Sequence, residues 1–357
     1  QQTLFNNMAK LSRAETTFAT FTSAGVVRRG LETAGFAANK VAGFGRKREM
    51  LCGQYEASAR KKTVNSDRQA IVIGGGIAGC ASAYTLAARG WQVCLIERHA
   101  ALAQEASGNP VGVLYPRLAG KGNALSRLAL SGFLYTSRLL QQLGLKQVEY
   151  SPCGLLQMAF DARELARCKA IATQGLPTEL VRFVDKNEAS ELAGIALAHD
   201  GLYFEEAGWA SPPAICNALA KHTDIEILTS SCALNVMKNG SFWQVWGDKS
   251  LLAEAPVLII ASANDSASFE QSAHLLLEAV RGQITFVGAN AASQQLKTII
   301  CADGYLSPAI DGLHYIGATF LPNDVDTETR SDDHQKNLAM LRRMAPELHQ
   351  SLKMQPI

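Results

Sequence analysis

The sequence predicts an α/β protein in which a nucleotide-binding domain is interrupted by a second domain with a mixed or antiparallel sheet. Two observations predict it. Residues 68–98 place a glycine-rich turn and a stretch of small residues, long enough for a helix, between two short apolar runs. Beyond residue 154 the chain mixes short β-rich runs with helical segments, without the regular strand–helix repeat of a wholly parallel sheet.

The N-terminal residues 1–55 predict the end of a separate α/β sheet, finished by an antiparallel strand. The predicted elements are a helix over 1–12, a strand over 16–22, a helix over 26–34 closed by Gly35, and strands over 36–41 and 47–52 joined by a glycine turn. Because about 55 residues are too few for an independent core, we expect the tail of a larger domain. Residues 56–67 are polar and aperiodic, and predict a basic linker.

A dinucleotide-binding fingerprint follows the linker. The apolar run Gln69–Ile73 predicts a buried parallel strand, and Gly74, Gly76 and Gly79 follow it as G-x-G-x-x-G at the start of a helix. A second apolar run then ends on Glu97, 18 residues past the last glycine. A lone glycine motif is a weak signal. The order of strand, glycines, helix, strand and acid in one unit is a strong one.

Each part of the fingerprint has a physical task. Gly74 permits the tight turn, Gly76 lets the backbone approach a pyrophosphate, and Gly79 lets the helix pack closely on the strand. The first amides of the helix bind the anion, and Glu97 accepts ribose hydroxyls while its charge repels a 2′-phosphate, which disfavours NADP. The predicted cofactor-contacting residues of this unit are Gly74, Gly75, Gly76, Ala78, Gly79, Glu97 and Arg98. The alternative is a glycine-rich turn in an ordinary α/β protein.

The loop 106–112 decides between the dinucleotides. NAD-dependent dehydrogenases usually continue with further βα units after the acidic strand, whereas here a loop of small and turn-forming residues follows. Such a loop suits close backbone contact with a large flat ring and its phosphates, which favours FAD, although an ordinary βα connection is the alternative. The predicted contacts in the loop are Ser107, Gly108, Asn109 and Gly112.

The remaining elements are predicted from periodicity. Helices are predicted over 124–143, 162–174 and 213–221, and strands over 225–228, 233–237, 242–246 and 257–261. The runs 282–287, 298–301 and 313–318 predict strands of a separate antiparallel sheet.

Composition narrows the class of protein. With 357 residues, 47% hydrophobic and 18% charged, the chain predicts a soluble globular protein with a large core and no membrane span. Its eight cysteines include no C-x-x-C pair, which predicts buried thiols in a reducing cytoplasm. Its seven histidines show no metal-ligand spacing, and no G-x-S-x-G is present, so we expect neither a metal site nor a serine hydrolase.

Charge is unevenly distributed along the chain. Residues 1–67 hold 11 Lys or Arg against 5 Asp or Glu, whereas the remaining 290 residues hold 23 against 27. The basic clusters are Arg28-Arg29, Arg46-Lys47-Arg48 and Arg60-Lys61-Lys62. They predict docking of a polyanion, and a solvated surface with a charged linker is the alternative.

The chain also resembles a known family. The run ASGNPVGVLYPRL, residues 106–118, resembles the flavin-facing loop of FAD proteins of the D-amino-acid-oxidase type. More narrowly, it resembles the oxidoreductase half of the bifunctional tRNA 5-methylaminomethyl-2-thiouridine biosynthesis proteins, and residues 17–54 resemble the end of that family's methyltransferase domain. Further matches are Val280–Gln283, Asp303–Leu306 and Ile316–Ala318. Both ends of the family pattern are missing, so we expect a fragment.

The resemblance implies a fold, a cofactor and a reaction. It implies an FAD-dependent oxidoreductase domain over 68–357, of Rossmann type, that removes the carboxymethyl group from 5-carboxymethylaminomethyl-(2-thio)uridine at the tRNA wobble position. It also implies that residues 1–55 end a methyltransferase domain, which in the full-length protein uses S-adenosylmethionine to methylate the resulting aminomethyl group. The implied partner is tRNA, through its anticodon wobble uridine, and we expect a cytoplasmic monomer.

Catalytic residues are not predicted with the same specificity, because bound flavin supplies the reactivity. Arg281 is a candidate for pairing with a substrate carboxylate, with a structural ion pair as the alternative. Tyr305 is a candidate for lining the substrate pocket, with a core aromatic as the alternative. Three other functions stay open: an NAD-dependent dehydrogenase, another FAD-dependent amine or amino-acid oxidase, and a non-catalytic tRNA-binding fragment.

Overall fold

In the computed structural model, the described residues are 2–13, 16–43, 45, 47–56 and 68–352. The chain divides into two compact units, Gln1–Ser66 and Asp67–Ile357. The predicted linker lies almost wholly outside the described residues, as do Arg46 and the cluster Arg60-Lys61-Lys62.

The first unit contains the elements that the sequence predicts. They are α1 (Gln2–Leu11), β1 (Thr17–Thr20), α2 (Gly25–Thr33), β2 (Phe36–Ala42) and β3 (Glu49–Tyr55). Strand β3 lies between β1 and β2 and is antiparallel to both. Phe5, Leu31 and Phe36 are buried between the helices and this sheet, so the described part of the unit has a small core of its own.

The second unit holds the remaining elements. Its helices are α3 (Ile77–Ala87), α4 (Ala124–Gln142), α5 (Ala162–Ala172), α6 (Lys186–Ala193), α7 (Pro212–Ala220), α8 (Ser331–Met344) and α9 (Pro346–Ser351). Its strands are β4 (Gln69–Ile73), β5 (Gln92–Ile96), β6 (Gly112–Leu114), β7 (Tyr150–Ser151), β8 (Leu155–Met158), β9 (Arg182–Val184), β10 (Gly201–Phe204), β11 (Gly208–Ala210), β12 (Ile225–Leu228), β13 (Asn235–Asn239), β14 (Phe242–Trp246), β15 (Leu251–Ala255), β16 (Val257–Ile260), β17 (Val280–Arg281), β18 (Thr285–Gly288), β19 (Ile299–Cys301), β20 (Tyr305–Leu306), β21 (Leu313–Gly317) and β22 (Leu321–Pro322).

A parallel sheet in the order β12-β5-β4-β16 carries the fingerprint. Its central strands are apolar because both of their faces are covered, and Ile71, Val72 and Leu95 are fully buried. Helices α3 and α7 pack on one face through Cys80, Ala83 and Cys216, and the antiparallel β13-β14-β15 meander covers the other face. The chain leaves this layer after β5 and returns for β12 and again for β16, so the nucleotide-binding layer is interrupted, as predicted.

The rest of the unit is built on a mixed sheet in the order β18-β21-β20-β19-β8-β10-β9, whose strands come both from the insertion before β12 and from the chain after β16. The prediction of a separate antiparallel sheet from residues 282–318 is wrong. The strands of this segment do pair antiparallel with one another, but they do not form a sheet of their own. They continue through β19 into β8, which runs parallel to β19, and then into β10 and β9. Pairing between strands some 145 residues apart cannot be read from local periodicity. Helices α8 and α9 cover one face of this sheet through Leu338, Leu341 and Leu348.

Candidate functional site

The glycine turn between β4 and α3 is so tight that side chains are excluded. Gly74 has φ +106°, and a Cβ there would lie 2.5 Å from the carbonyl oxygen of Ala261. A Cβ on Gly79 would lie 1.8 Å from the carbonyl oxygen of Gly74, which is far inside van der Waals contact. Gly74 therefore lets the turn pass close to the end of β16, and Gly79 lets the first turn of α3 pack against the end of β4.

The start of α3 faces the loop that follows β5. Gly76 occupies the N-cap position without a capping side chain of its own, and a Cβ there would meet Ser107 Oγ at 3.0 Å. That hydroxyl accepts a hydrogen bond from the amide of Ile77, 3.1 Å away. Backbone amides at the start of a helix carry a partial positive charge, so this corner is suited to an anionic phosphate.

A cleft with a volume of about 310 Å³ opens at this corner. It lies at the carboxyl ends of parallel strands, where open α/β sheets bind their ligands. The predicted residues that line it are Gly74, Gly75, Gly76, Glu97, Arg98 and Ser107. Sequence reasoning missed the opposite wall, which consists of Ser231–Leu234, Ala261–Ala263, Asp265, Ser268 and Phe269. The usable signal was that these residues follow β12 and β16, two of the predicted strands.

Glu97 is the buried carboxylate of the cleft, with only 7% of its surface exposed. One carboxylate oxygen accepts from the amide of Gly75 and the other from the amide of His99, each at 2.8 Å. These two bonds fix the side chain and connect the end of β5 to the glycine turn. A carboxylate oxygen has two acceptor sites, so each can still accept from a ribose hydroxyl.

Arg98 belongs to an ion-pair cluster at the rim of the cleft. Its guanidinium pairs with Glu105 and, at 2.7 Å, with Asp265, and His99 also approaches Glu105 to 2.8 Å. The hydrogen bond from Arg98 to Glu105 raises the pKa of Arg98 despite partial burial. Burial opposes ionisation of Glu105, but hydrogen bonds from His99 and Arg98 outweigh it and lower the pKa of Glu105. Arg98 therefore links the two walls of the cleft.

The rest of the predicted cofactor loop extends away from this corner. Residues 106–108 form a single 3-10 turn, and Gly112 enters β6 opposite Ala210 of β11. Asn109 and Val111 lie near Tyr305, whose hydroxyl is 3.5 Å from the Val111 carbonyl oxygen. Burial raises the pKa of Tyr305 to about 12, although a hydrogen bond with Asn109 lowers it in part. The structure thus brings the candidate Tyr305 to the predicted cofactor loop.

Arg281 lies elsewhere, in a buried polar network. Its guanidinium forms an ion pair with Asp333, and both side chains are almost fully buried. It also donates to the Gln283 side chain at 2.7 Å and to the Asp326 carbonyl at 2.8 Å. This is the structural ion pair that the sequence analysis kept as the alternative. All three guanidinium nitrogens have protein partners.

The donor set fits a dinucleotide. A side-chain-free turn with helix amides suits the pyrophosphate, and a buried, fixed carboxylate at the end of the second strand suits a ribose. In a comparison with family models, residues 69–355 match the FAD-dependent oxidoreductase model. The chain belongs to the family of FAD-dependent oxidoreductases. FAD is the dinucleotide of this family, so the NAD alternative is set aside. Residues 1–56 match a different model, that of an S-adenosyl-L-methionine-dependent methyltransferase.

Relatives of this oxidoreductase are similar over nearly the whole chain. It is 53% identical, over 352 residues, to the tRNA 5-methylaminomethyl-2-thiouridine biosynthesis bifunctional protein MnmC of Methylobacillus flagellatus, covering 99% of this chain and 54% of that protein. The protein of the same name in Stutzerimonas stutzeri is 46% identical over 366 residues, covering 100% of this chain and 55% of that protein. The chain therefore spans about half the length of the curated relatives it matches.

Solved structures share the fold of the second unit. Glycine oxidase from Geobacillus kaustophilus is 21% identical with a TM-score of 0.67, covering 79% of this chain and 80% of that one. Iminodiacetate oxidase from Chelativorans sp. is 19% identical with a TM-score of 0.64, covering 81% of each chain. At these identities the likeness establishes the fold of the oxidoreductase and nothing about its substrate.

The described part of the chain holds neither a cluster of metal-ligating side chains nor a helix that could cross a membrane. Among its residues, His, Cys, Asp and Glu side chains do not come together in a group able to hold a metal ion. Over the same ranges, we find no helix long and apolar enough to cross a membrane.

Two of the described N-terminal basic residues, Arg28 and Lys47, have local partners. Arg28 lies 3.7 Å from Glu32, one helical turn away, and the Lys47 ammonium lies 4.9 Å from the centre of the Phe21 ring. The docking of a polyanion on this unit stays a prediction.

Proposed function

We propose that the second unit removes the carboxymethyl group from 5-carboxymethylaminomethyl-(2-thio)uridine at the wobble position of tRNA by FAD-dependent oxidation. The observation that carries the proposal is 53% identity over 352 residues to a bifunctional protein named for this modification, in a chain whose cleft fits the required cofactor.

The cofactor-side residues have distinct roles in this proposal. Gly74, Gly75, Gly76, Ala78 and Gly79 form the turn and first helical residues that receive the pyrophosphate. Glu97 holds a ribose, and Arg98 keeps the rim of the cleft in place through its ion pairs with Glu105 and Asp265. Ser107 would border the pyrophosphate, and Gly108, Asn109 and Gly112 would hold the flavin ring. Tyr305 then lies on the substrate side, where its un-ionised phenol is a hydrogen-bond donor.

The reaction balances without a protein acid or base when the substrate amine arrives neutral. The carboxymethyl carbon loses a hydride, and the C–N single bond becomes a protonated imine whose proton stays on the nitrogen. Bound FAD supplies the chemistry by accepting the hydride. Water adds to the imine carbon and the C–N bond breaks, leaving aminomethyluridine and glyoxylate. The protein's own task is to align the C–H bond and to exclude water until the hydride has left.

The domain assignment follows from the same comparison. We propose that residues 1–55 are the C-terminal part of a methyltransferase domain, residues 56–67 a basic linker, and residues 68–357 the oxidoreductase domain. The match of residues 1–56 to a methyltransferase model supports the first part. In the full-length protein that domain would use S-adenosylmethionine to methylate the aminomethyl product. Since tRNA is the substrate, we place the protein in the cytoplasm, and we expect a monomer.

The test is a single-turnover reaction. The purified chain, loaded with FAD, is mixed without oxygen with tRNA that carries the carboxymethylaminomethyl group. We expect loss of the oxidised-flavin absorbance, one aminomethyluridine in the digested tRNA by mass spectrometry, and one glyoxylate per flavin reduced. Unmodified tRNA is the matched control and should leave the flavin oxidised.

Free amino acids as substrates distinguish the proposed function from the main alternative, another FAD-dependent amine or amino-acid oxidase. If glycine or iminodiacetate reduces the flavin and the modified tRNA does not, the protein is an amine or amino-acid oxidase with another substrate. If tRNA binds and neither kind of substrate reduces the flavin, the non-catalytic tRNA-binding alternative holds.

A further inference from the structure

The positive charge of the oxidoreductase unit is concentrated in one stretch of the chain. Residues 106–148 contain five Lys or Arg and no Asp or Glu, although acidic residues outnumber basic ones over the unit as a whole. The next helix, α5, adds Arg163, Arg167 and Lys169. An uneven distribution of this kind creates a local positive potential on a protein of small net charge.

Three basic residues of this stretch and two of α5 lie on one loop and the parts of the two helices next to it, whereas Arg138 lies further along α4 and Lys146 lies beyond that helix. Arg117 and Lys121 lie on the loop between β6 and α4, Arg127 lies in the first turn of α4, and Arg163 and Lys169 lie on α5; all five are exposed. We call these five residues the basic face.

Three hydrogen bonds fix the loop of the basic face to α4, to α5 and to the residues just past α5. The amide of Ala119 donates to Ser126 Oγ on α4 at 3.1 Å, and Arg167 of α5 donates to the Leu118 carbonyl at 3.0 Å. The Gln174 side chain, just past α5, donates to the Ala119 carbonyl at 2.8 Å. The charged side chains are therefore carried on a backbone that is held in place, and less ordering is needed when a ligand binds.

The side chains of the basic face are also available. Within the described residues, none of the five makes an ion pair, whereas Arg98, Arg182 and Arg330 are paired with carboxylates. Lys169 lies 6.0 Å from the centre of the Phe183 ring, an interaction that leaves its charge unneutralised. Arg167 differs from the five because it is half-buried and pairs with Glu164 at 2.8 Å. Unneutralised cations release counterions from a nucleic acid when they bind its phosphates.

The basic face begins close to the cofactor site along the chain. Ser107 lines the cleft and Gly112 opens β6, so Arg117 is five residues beyond the last predicted cofactor-binding residue. Five residues span at most about 17 Å. A nucleotide held with its base at the flavin would have its neighbouring phosphates within reach of this surface.

We propose that the basic face binds the phosphate backbone of tRNA and positions the wobble nucleotide at the cofactor site. This inference rests on the proposed function for the identity of the ligand. It differs from docking on the N-terminal clusters, where Arg28 has a carboxylate neighbour.

The test uses the FAD-loaded chain and a triple variant, Arg117→Gln, Lys121→Gln and Arg127→Gln. Its charge-matched control is Lys238→Gln, Lys249→Gln and Lys297→Gln, three exposed residues elsewhere in the unit. The dissociation constant for a tRNA transcript is measured by fluorescence anisotropy over a series of salt concentrations. Oxidation of the free 5-carboxymethylaminomethyl-2-thiouridine nucleoside, which has no phosphates, is measured alongside, and flavin content and thermal midpoint check the fold.

We expect the triple variant to weaken tRNA binding about tenfold or more at low salt. The slope of log Kd against log salt should fall by about 0.7 to 0.9 for each phosphate that the variant no longer binds. The control should keep the wild-type slope, and oxidation of the nucleoside should be unchanged in both variants. If the triple variant keeps wild-type affinity and slope, or if the wild type itself fails to bind tRNA, the proposal is overturned.

Failure of the proposed function gives a different result. If the basic-face variant loses tRNA affinity but neither protein oxidises the nucleoside or the modified tRNA, the surface assignment stands and the proposed reaction falls. If replacing Arg46, Lys47 and Arg48 lowers the slope and replacing the basic face does not, tRNA docks on the first unit and the basic face is excluded.

Discussion

Replacing Gly79 by Ala tests the reasoning about the cofactor turn most directly. A Cβ at this position would lie 1.8 Å from the Gly74 carbonyl oxygen and 3.0 Å from the Gly74 carbonyl carbon. Since both are backbone atoms, no side chain can move aside, and α3 must shift away from β4 by more than about 1 Å to reach an ordinary van der Waals distance. Overpacking of this kind costs about 1–3 kcal/mol, and a clash with fixed backbone lies at the upper end of that range or beyond it.

Helix propensity acts in the opposite direction. Ala is favoured over Gly inside a helix by about 1 kcal/mol, so the net loss of unfolding free energy should be about 2 kcal/mol. Gly132, in the middle of α4, gives the matched control because a Cβ there would meet no atom within 4 Å. Gly132→Ala should therefore stabilise the protein by up to about 1 kcal/mol. The same substitution has opposite signs on the two helices.

The assay is urea unfolding of both variants, followed by circular dichroism, together with the ratio of bound flavin to protein. We expect Gly79→Ala to lower the unfolding midpoint and the flavin content, because shifting α3 moves the amides that receive the pyrophosphate. Gly132→Ala should raise the midpoint and leave flavin content unchanged. If Gly79→Ala retains the wild-type midpoint and flavin content, the close packing of α3 on the glycine turn is refuted.

Three further outcomes are expected. Gly76→Val should remove most bound flavin from a folded protein, because the new side chain would meet Ser107 Oγ at 3.0 Å and extend into the cleft; full flavin content would contradict this placement. Glu97→Gln should lower flavin affinity and cost about 1–3 kcal/mol of stability. The reason is that an amide nitrogen would face one of the two backbone donors that the carboxylate now satisfies. An unfolding midpoint equal to that of the wild type would exclude a stabilising role for the Glu97 carboxylate. Burial lowers the pKa of His314 below its ordinary 6.5, despite its hydrogen bond with Ser307, so the unfolded chain binds a proton that the folded chain does not. The free energy of unfolding should therefore decrease as the pH falls below about 6.5, by at most about 1.4 kcal/mol per pH unit. His314→Phe should reduce this dependence on pH. If the wild type and the variant lose stability equally with falling pH, His314 is not its source.

Local signals in the sequence predicted the cofactor half of the site. Strand β4, the glycine turn, α3 and β5 follow one another within 28 residues, and hydrophobic periodicity together with glycine spacing is enough to place them. Helix α4 was predicted over 124–143 and runs over Ala124–Gln142, because an amphipathic pattern and an Asn123 cap define it locally. Such elements depend on residues that are close in sequence.

The substrate side depends on long-range packing that periodicity does not encode. Tyr305 reaches the cofactor loop at Val111 across 194 residues, and β19 finds β8 rather than a sequence neighbour. Arg281 illustrates the same limit. A guanidinium in the run Val280–Gln283 is equally compatible with a substrate carboxylate and with Asp333, which lies 52 residues further along the chain. Only the fold distinguishes these two partners.

The rim of the cleft depends both on residues that are close in sequence and on long-range packing. Arg98 and Glu105 are seven residues apart and their pairing is a short-range event, but Asp265 joins them only because β16 returns to the edge of β4. The cluster therefore forms only when both passes of the interrupted chain are in place. Since Glu97 is fixed by Gly75 and His99 in the same corner, the cofactor cleft needs β4, β5 and β16 together, although β16 begins some 160 residues beyond the end of β5. Binding of the dinucleotide thus tests the return of the chain to this sheet and not the fingerprint alone.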